Sequence, residues 1–365
     1  VLHIGLPKTG TTSIQRMLGT QRGALRERGY YYPSPTEGAV PQFLHKVHRG
    51  AGAGAFWRSL TEEMAGLPQH DGTVILSGEQ CSLSLRDESD VAALHARLAD
   101  HFTSMRVVVY LRRQDLHAAS LFAQALRLGR VAPPDLASFG TEMAPVHDFE
   151  ALLGRWAAVF GEAALVPRIY ARDCLPDGDV VRDFLQVCGL DATWAAQHAA
   201  AHNNPSMNLA GQSFLLGIGG WLQAQSGGGA IDGGTWAGLA ALATRGCPGR
   251  GWRPFQAEAA SYLAGFAASN EAVRRRWFPG RDSLFDMSMS ELPVAAELPT
   301  VPPDPETAYA IIMELVRGMQ DTKKGTVSTK AEENRQRRVM RAERRARKAG
   351  GFAPSTPTGE PPRAL

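Results

Sequence analysis

Val1-Leu-His-Ile-Gly-Leu-Pro-Lys-Thr-Gly-Thr-Thr-Ser-Ile-Gln-Arg-Met-Leu18 begins the chain, and how these residues divide decides the fold. Leu2 to Ile4 is a short apolar strand candidate, and Gly5 to Thr12 carries the glycine, proline and threonine of a tight turn. Ser13 to Leu18 then places Ile14, Met17 and Leu18 at helical spacing. The order is strand, turn, helix. At such a junction the first backbone N–H groups of the helix have no partner inside it and point toward whatever sits above the sheet edge. Gly10 lets that backbone come close to an anion, Thr11 and Thr12 add hydroxyl donors, and Lys8 adds a mobile positive charge.

Outward from this unit, Thr73 to Ser77 and Met105 to Leu111 are apolar runs too short for helices and rich in β-branched residues, as buried parallel strands are. Ala164 to Tyr170 is a fourth strand candidate. Glu88 to Phe102, with Val91, Leu94 and Leu98 on one face, and Leu116 to Leu128 read as helices between them. This alternation predicts a doubly wound α/β sheet. From Ala200 the pattern turns helical and glycine-rich: Gly227 to Gly234 reads as a surface loop and Tyr262 to Trp277 as one helix. There is no internal repeat, so this half reads as an extension around the same site.

Composition bounds the function. A chain of 365 residues is long enough to bury about 75% of the surface its unfolded form exposes. No run of 18 apolar residues is present to span a bilayer, and no leader precedes the first strand, so a cytoplasmic protein is expected. Cys81, Cys174, Cys188 and Cys247 are dispersed without metal-ligand spacing, which predicts free thiols and no bound metal. The net charge of +3 divides unevenly: residues 321–349 hold eleven Lys or Arg against four Asp or Glu, leaving −4 on residues 1–320. Residues 1–290 are read as the main domain, 291–320 as a linker with a short helix, 321–349 as a basic helical segment suited to an acidic partner, and 350–365 as a disordered tail.

The turn is not that of an ATPase, whose phosphate loop reads G-x-x-x-x-G-K-[ST]; here Lys8 precedes the second glycine. Gly5-Leu-Pro-Lys-Thr-Gly-Thr-Thr12 instead resembles the 5′-phosphosulfate loop of sulfotransferases that use 3′-phosphoadenosine-5′-phosphosulfate (PAPS), and a second signal follows the third strand in Tyr110-Leu-Arg-Arg-Gln-Asp-Leu-His-Ala-Ala-Ser120. In that family an arginine near the strand end and a serine eight residues later grip the 3′-phosphate, a pattern that Arg112 and Ser120 occupy. Arg113-Gln114 stands where Asn-Pro is usual, similar to bacterial members related to the glycan-modifying branch, and it leaves open whether Arg113 shares the phosphate. Arg172-Asp-Cys-Leu with Asp183-Phe-Leu185, Asn203 to Ser206, Phe266 to Asn270 and Phe278 to Phe285 resemble further blocks of that branch, extending the likeness over residues 1–290.

The resemblance implies a P-loop-like three-layer α/β fold with a central, mainly parallel sheet and a helical C-terminal extension. It implies that Pro7, Lys8, Thr9, Gly10, Thr11 and Thr12 with Arg112 and Ser120 bind PAPS, and that Lys8 meets the charge appearing on the departing phosphate. Glu79, just past the second strand, is the first candidate for general base. A carboxyl of ordinary pKa, about 4.3, needs burial to serve. His45 and His48, with an intrinsic pKa of about 6.5, are rivals for base or acceptor contact, and Glu27 and Glu37 are outside candidates. Tyr32 and Trp57, among Tyr30, Tyr31, Trp221 and Trp236, are candidates to stack on a sugar ring. The expected acceptor is a carbohydrate hydroxyl, with a small alcohol, phenol or amine as alternatives. A P-loop phosphotransferase and a noncatalytic nucleotide or polyanion-binding module are the rival classes.

Overall fold

The computed structural model describes residues 1–33, 44–46, 53–67, 72–132, 134–198, 206–225, 232–296 and 311. The first half runs β1 (Leu2–His3), α1 (Thr11–Thr20), α2 (Arg22–Arg26), β2 (Tyr30–Tyr31), α3 (Ala53–Ala65), β3 (Thr73–Val74), β4 (Leu76–Ser77), α4 (Gln80–Ser84), α5 (Glu88–Ala99) and β5 (Val107–Leu111). After it come α6 (Gln114–Arg127), α7 (Leu136–His147), α8 (Phe149–Phe160), β6 (Leu165–Ile169), α9 (Val180–Cys188) and α10 (Ala192–His198). The C-terminal region is helical: α11 (Leu209–Gln225), α12 (Gly233–Gly246), α13 (Gln256–Ala264) and α14 (Ala267–Trp277).

The fold is mixed α/β around a small parallel sheet of order β4-β1-β5-β6. β2 pairs in parallel with β3, and Ile75 carries the chain from β3 into β4 while its N–H donates to Tyr31 O at 2.8 Å. Pairing between β1 and β5 continues past the strand ends: Ile4 N donates to Val108 O at 3.0 Å, Tyr110 N to Gly5 O at 2.8 Å and Leu6 N to Tyr110 O at 3.4 Å. The turn after β1 is therefore held at the sheet edge from its first residue.

Alternation along β5 explains why its sequence is apolar throughout. Val107, Val109 and Leu111 face α5 and α8, where Val91, Leu94, Leu152 and Trp156 pack. Val108 and Tyr110 face the other way, onto Ile14 and Met17 of α1 and Phe184 and Leu185 of α9. All five strand residues are fully buried, and each aliphatic one stabilises the fold by about 1.5–3 kcal/mol relative to an exposed position. Tyr110 keeps its phenol on the buried side by donating to Asp183 at 2.7 Å, and Arg168 of β6 donates to the same carboxylate through Nε at 3.0 Å. That paired carboxylate fixes α9 against the sheet.

A third core joins Phe122 and Leu126 of α6 to Leu215 of α11, Trp236 and Ala240 of α12, and Trp252. The segment read as one helix from Tyr262 to Trp277 is two, α13 and α14, broken at Gly265-Phe266. Glycine weakens a helix interior, and Phe266 uses the break to pack edge-on against Tyr262 and His147. Of the stretch Gly227 to Gly234, the last two residues open α12; most of it, the segment 321–349 and the tail lie outside the described residues. No described helix is long and apolar enough to cross a membrane.

Candidate active site at the C-terminal edge of the sheet

Because the strands are parallel, the turns after β1, β4, β5 and β6 all emerge at one edge. The turn after β1 is built by tying its carbonyls down. Leu6 O accepts from Thr9 Oγ1 at 2.6 Å and Thr11 Oγ1 at 3.1 Å, Pro7 O bonds His117 Nε2 at 2.8 Å, and Lys8 O accepts from Arg112 Nη1 at 2.8 Å. With three successive oxygens turned into the protein, the N–H groups of Lys8 to Thr12 are left without an acceptor among the described residues. Such a run of free amides is the kind of concavity in which turns of this type can receive an anion.

Two glycines are required by space as well as by backbone. Gly5 has φ +108°, and a Cβ there would stand 3.1 Å from Glu79 O; Gly10 has φ +84°, and a Cβ there would stand 2.5 Å from Val180 Cγ1 of α9. Lys8 itself sits at φ +59°, a conformation that costs a residue with a Cβ about 1–3 kcal/mol and clusters at functional sites. Thr9 and Thr11 are buried, with their hydroxyls on Leu6 O, whereas Thr12 is exposed. Thr9 and Thr11 therefore shape the turn from inside, and their amides, not their hydroxyls, face outward.

Arg112 follows β5 directly. Its Nη1 is shared between Lys8 O and Ser120 Oγ, the latter at 3.3 Å, and its guanidinium lies 5.5 Å above the Tyr170 ring at the end of β6. Its Nε and Nη2 have no protein acceptor among the described residues, so part of the guanidinium keeps donor capacity beyond these two bonds. Arg113 is engaged by protein partners. It makes a two-pronged bond to Asp115 at 2.8 and 2.9 Å and donates to the carbonyls of Asp286 and Ser288 at 2.8 and 2.9 Å. That guanidinium latches residues 286–288 onto α6.

Glu79 and Lys8 occupy facing turns, and each moves the other's proton affinity. Burial raises the Glu79 carboxyl above the ordinary carboxylate range, opposed by the Lys8 charge and a hydrogen bond from Thr11. The single Thr11 proton serves either that carboxylate or Leu6 O at a given moment. Burial likewise lowers Lys8, helped by the positive charges of Arg127 and Arg112 and opposed by Glu79. His45 is half-buried, and its neighbour Leu44 lies against Gly78, which a Cβ would bring to 3.1 Å from Leu44 Cδ1. The histidine segment is thus stacked on the turn that bears Glu79. Trp57, 6% exposed, donates from Nε1 to Lys46 O at 2.9 Å, and Tyr32, 5% exposed, is covered by the Arg22 guanidinium at 5.1 Å. Neither ring presents an open face; Trp57 props up the His45 segment. His48 and Glu37 lie outside the described residues, and Glu27 is at the end of α2.

Several residues of the site carry no signal in the sequence. Arg127, half-buried on the face of α6 that bears Ser120, and Arg253, whose proton affinity burial, Arg250 and Arg112 all lower, add charge around Lys8 and Arg112. Among the described residues no cluster of three His, Cys, Asp or Glu is placed to hold a metal ion. A cavity of about 420 Å³ lies at the opposite edge of the sheet, beside Val1, Gly72 and Arg106, away from this chemistry.

No family model matches the chain. A protein of Archaeoglobus fulgidus, described as uncharacterized, is 35% identical over 103 residues, which is 28% of this chain and 27% of that one. The match thus spans about a quarter of the length of the curated relative. The crystal structure of a sulfotransferase from Alicyclobacillus acidocaldarius aligns with 64% of this chain and 97% of that one, at 14% identity and a TM-score of 0.38. That likeness is partial and distant, and it says nothing of donor, acceptor or catalytic residues.

Proposed function

We propose that this chain transfers a sulfuryl group from PAPS to a hydroxyl of a carbohydrate or related metabolite, by in-line displacement without a metal. The observation that carries the reading is the bond from Arg112 Nη1 to Lys8 O at 2.8 Å. It supports reading the two motifs of the sequence as parts of one site. In this reading the free amides of Lys8 to Thr12 hold the 5′-phosphosulfate, while Arg112, through Nε and Nη2, and Ser120 hold the 3′-phosphate. The three-layer, P-loop-like description of the fold belongs to the same proposal: α1 and α9 cover one face of the sheet, α5 and α8 the other.

The chemistry asked of the residues is modest. The acceptor oxygen forms a bond to sulfur as the bond from sulfur to the bridging phosphate oxygen breaks, and the acceptor proton passes to Glu79. Lys8 and the turn amides take up the charge left on the phosphate. The products are a sulfate ester and adenosine 3′,5′-bisphosphate. Glu79 is the better-supported base because burial has already raised it toward the working range. His45 keeps an acceptor-contact role.

The test is a PAPS-supported screen of glycan acceptors read by mass spectrometry in excess chelator, beside binding of adenosine 3′,5′-bisphosphate and adenosine 5′-monophosphate. The proposal expects a sulfated product and a preference for the bisphosphate. Binding of nucleoside triphosphate in place of either, with magnesium-dependent phosphate transfer, would replace it by the phosphotransferase reading.

A further inference from the structure

Beneath the turn runs a buried hydrogen-bond chain that the reaction does not use. His117 Nε2 is 2.8 Å from Pro7 O, His117 Nδ1 is 2.7 Å from His147 Nε2, and His147 Nδ1 is 2.8 Å from Tyr262 Oη. Both imidazoles are 0% exposed, and three separate helices, α6, α7 and α13, supply the three side chains. A peptide carbonyl only accepts, so His117 must carry its proton on Nε2. Its Nδ1 is then an acceptor, which places the His147 proton on Nε2 as well, and the His147 Nδ1 lone pair takes the Tyr262 hydroxyl proton. The direction of every bond follows from the one end that cannot donate. A second proton on either ring would reverse the outer bonds, making His147 Nδ1 the donor and the Tyr262 oxygen the acceptor, so the one-way order belongs to the two neutral rings.

We infer that His117, backed by His147 and Tyr262, is a positioning residue that fixes the orientation of the phosphate turn through this one-way chain. Pro7 O is the middle of the three carbonyls turned into the protein, and its neighbours are held by other groups: Leu6 O by threonine hydroxyls, Lys8 O by Arg112. Releasing Pro7 O frees the peptide that carries the Lys8 N–H, the first donor of the anion concavity. The surroundings keep the rings neutral from every side. Burial opposes a charge on both rings, Arg112 and Lys8 add to that at His117 and His117 adds to it at His147, and Phe266 and Tyr262 wall His147 edge-on at 5.7 and 6.0 Å. Asp115 bears on Tyr262 from α6. The far side is also pinned: Gln114 Nε2 donates to His147 O at 3.2 Å and pairs reciprocally with the Asn270 amide at 2.7 and 3.3 Å.

The inference rests on the sulfuryl-transfer reading only for what the turn binds, so its first readout needs no ligand. In protein labelled with nitrogen-15 in histidine, His117 and His147 should both show the Nε2–H neutral form at pH 7; an Nδ1–H form or an imidazolium at His117 overturns the inference. For function, His117→Leu removes the donor to Pro7 O, while His117→Gln places an amide nitrogen where Nε2 stood. His117→Leu should weaken adenosine 3′,5′-bisphosphate and inorganic pyrophosphate about tenfold or more, and His117→Gln should stay within about threefold of the parent. Equal affinity in His117→Leu and the parent overturns it. Should His117→Leu fail to fold, Tyr262→Phe carries the same question: amide exchange at Lys8 to Thr12 should quicken about tenfold, and unchanged exchange overturns the inference. A parent protein that shows the two tautomers but binds no bisphosphate would sink the proposed activity and leave the positioning role standing.

Discussion

Lys8 combines a left-handed backbone, φ +59°, with a side chain whose charge burial and two neighbouring arginines discourage. On the proposed reading, both costs would be offset by a bound anion. Removing a donor aimed at developing charge costs about 10²–10³ in kcat, and Lys8→Ala should fall in that range with the bisphosphate still bound; near-normal turnover would end its role. Arg112 is a less clean target than the motif suggests, because its Nη1 also holds Lys8 O, so Arg112→Ala would disturb both of the proposed phosphate positions. Among the described residues, the Ser120 hydroxyl is hydrogen-bonded by the Arg112 guanidinium at 3.3 Å. Ser120→Ala should therefore weaken the bisphosphate about five- to tenfold while sparing adenosine 5′-monophosphate, and equal losses would show that this serine holds no 3′-phosphate. Glu79, raised by burial, must lose its proton to act as base. Its activity limb should rise with pH at a midpoint above the ordinary carboxylate range and vanish in Glu79→Gln; a limb that persists moves the role to His45.

Elements decide where these residues meet, and α9 is the one that touches the turn from outside. Gly10 runs against Val180 at its first turn, with 2.5 Å available to a Cβ, and its φ of +84° is independently hostile to one. Gly10→Ala should destabilise the protein by about 2 kcal/mol or more and abolish bisphosphate binding. Adding Val180→Ala should recover only part of the stability, since it opens space without changing φ; full recovery in denaturant titrations would show that the contact alone demands glycine. The same elements show what a reader of the sequence can and cannot see. β5 and its arginine were legible because a strand buried on both faces is apolar at every position and stops at its first charge. Arg113 was not: its partners Asp286 and Ser288 come from the far end of the chain, and nothing local marks a latch. Nor was the break at Gly265-Phe266, where contacts with His147 override a pattern that continues across it. Tyr32 and Trp57 looked available for a sugar because aromatics read alike in a core and on a rim, and only packing tells them apart.

Across the whole molecule, the consequence of burying so many neutral imidazoles is a fold that weakens on mild acidification. His3 and His117, both fully buried, are lowered by desolvation to about 3, and His147 is pushed well below its ordinary value for the same reason. Folded, these rings bind fewer protons than the unfolded chain, whose histidines titrate near about 6.5, so stability is complete above that pH and drains as pH falls toward 3. Each lowered histidine removes about 1.4 kcal/mol per pH unit once below 6.5, so His3 and His117 together cost about 2.5 kcal/mol between pH 7 and 5.5, and His147 adds in the same direction. Glu79 and Glu258, raised by burial, act oppositely, because protonation relieves the cost of their buried charge. Denaturant titrations at pH 7, 6.25 and 5.5 should therefore show a steepening loss, far larger than surface carboxylates produce in that window. Replacing His3, which is tied to Ser77 Oγ at 2.9 Å and lies off the His117 chain, with Gln should lower stability at pH 7 yet flatten the mean pH slope across that window by about 0.8 kcal/mol per unit. A slope unchanged by that substitution would mean that the buried rings are not what sets the acid limit of this fold.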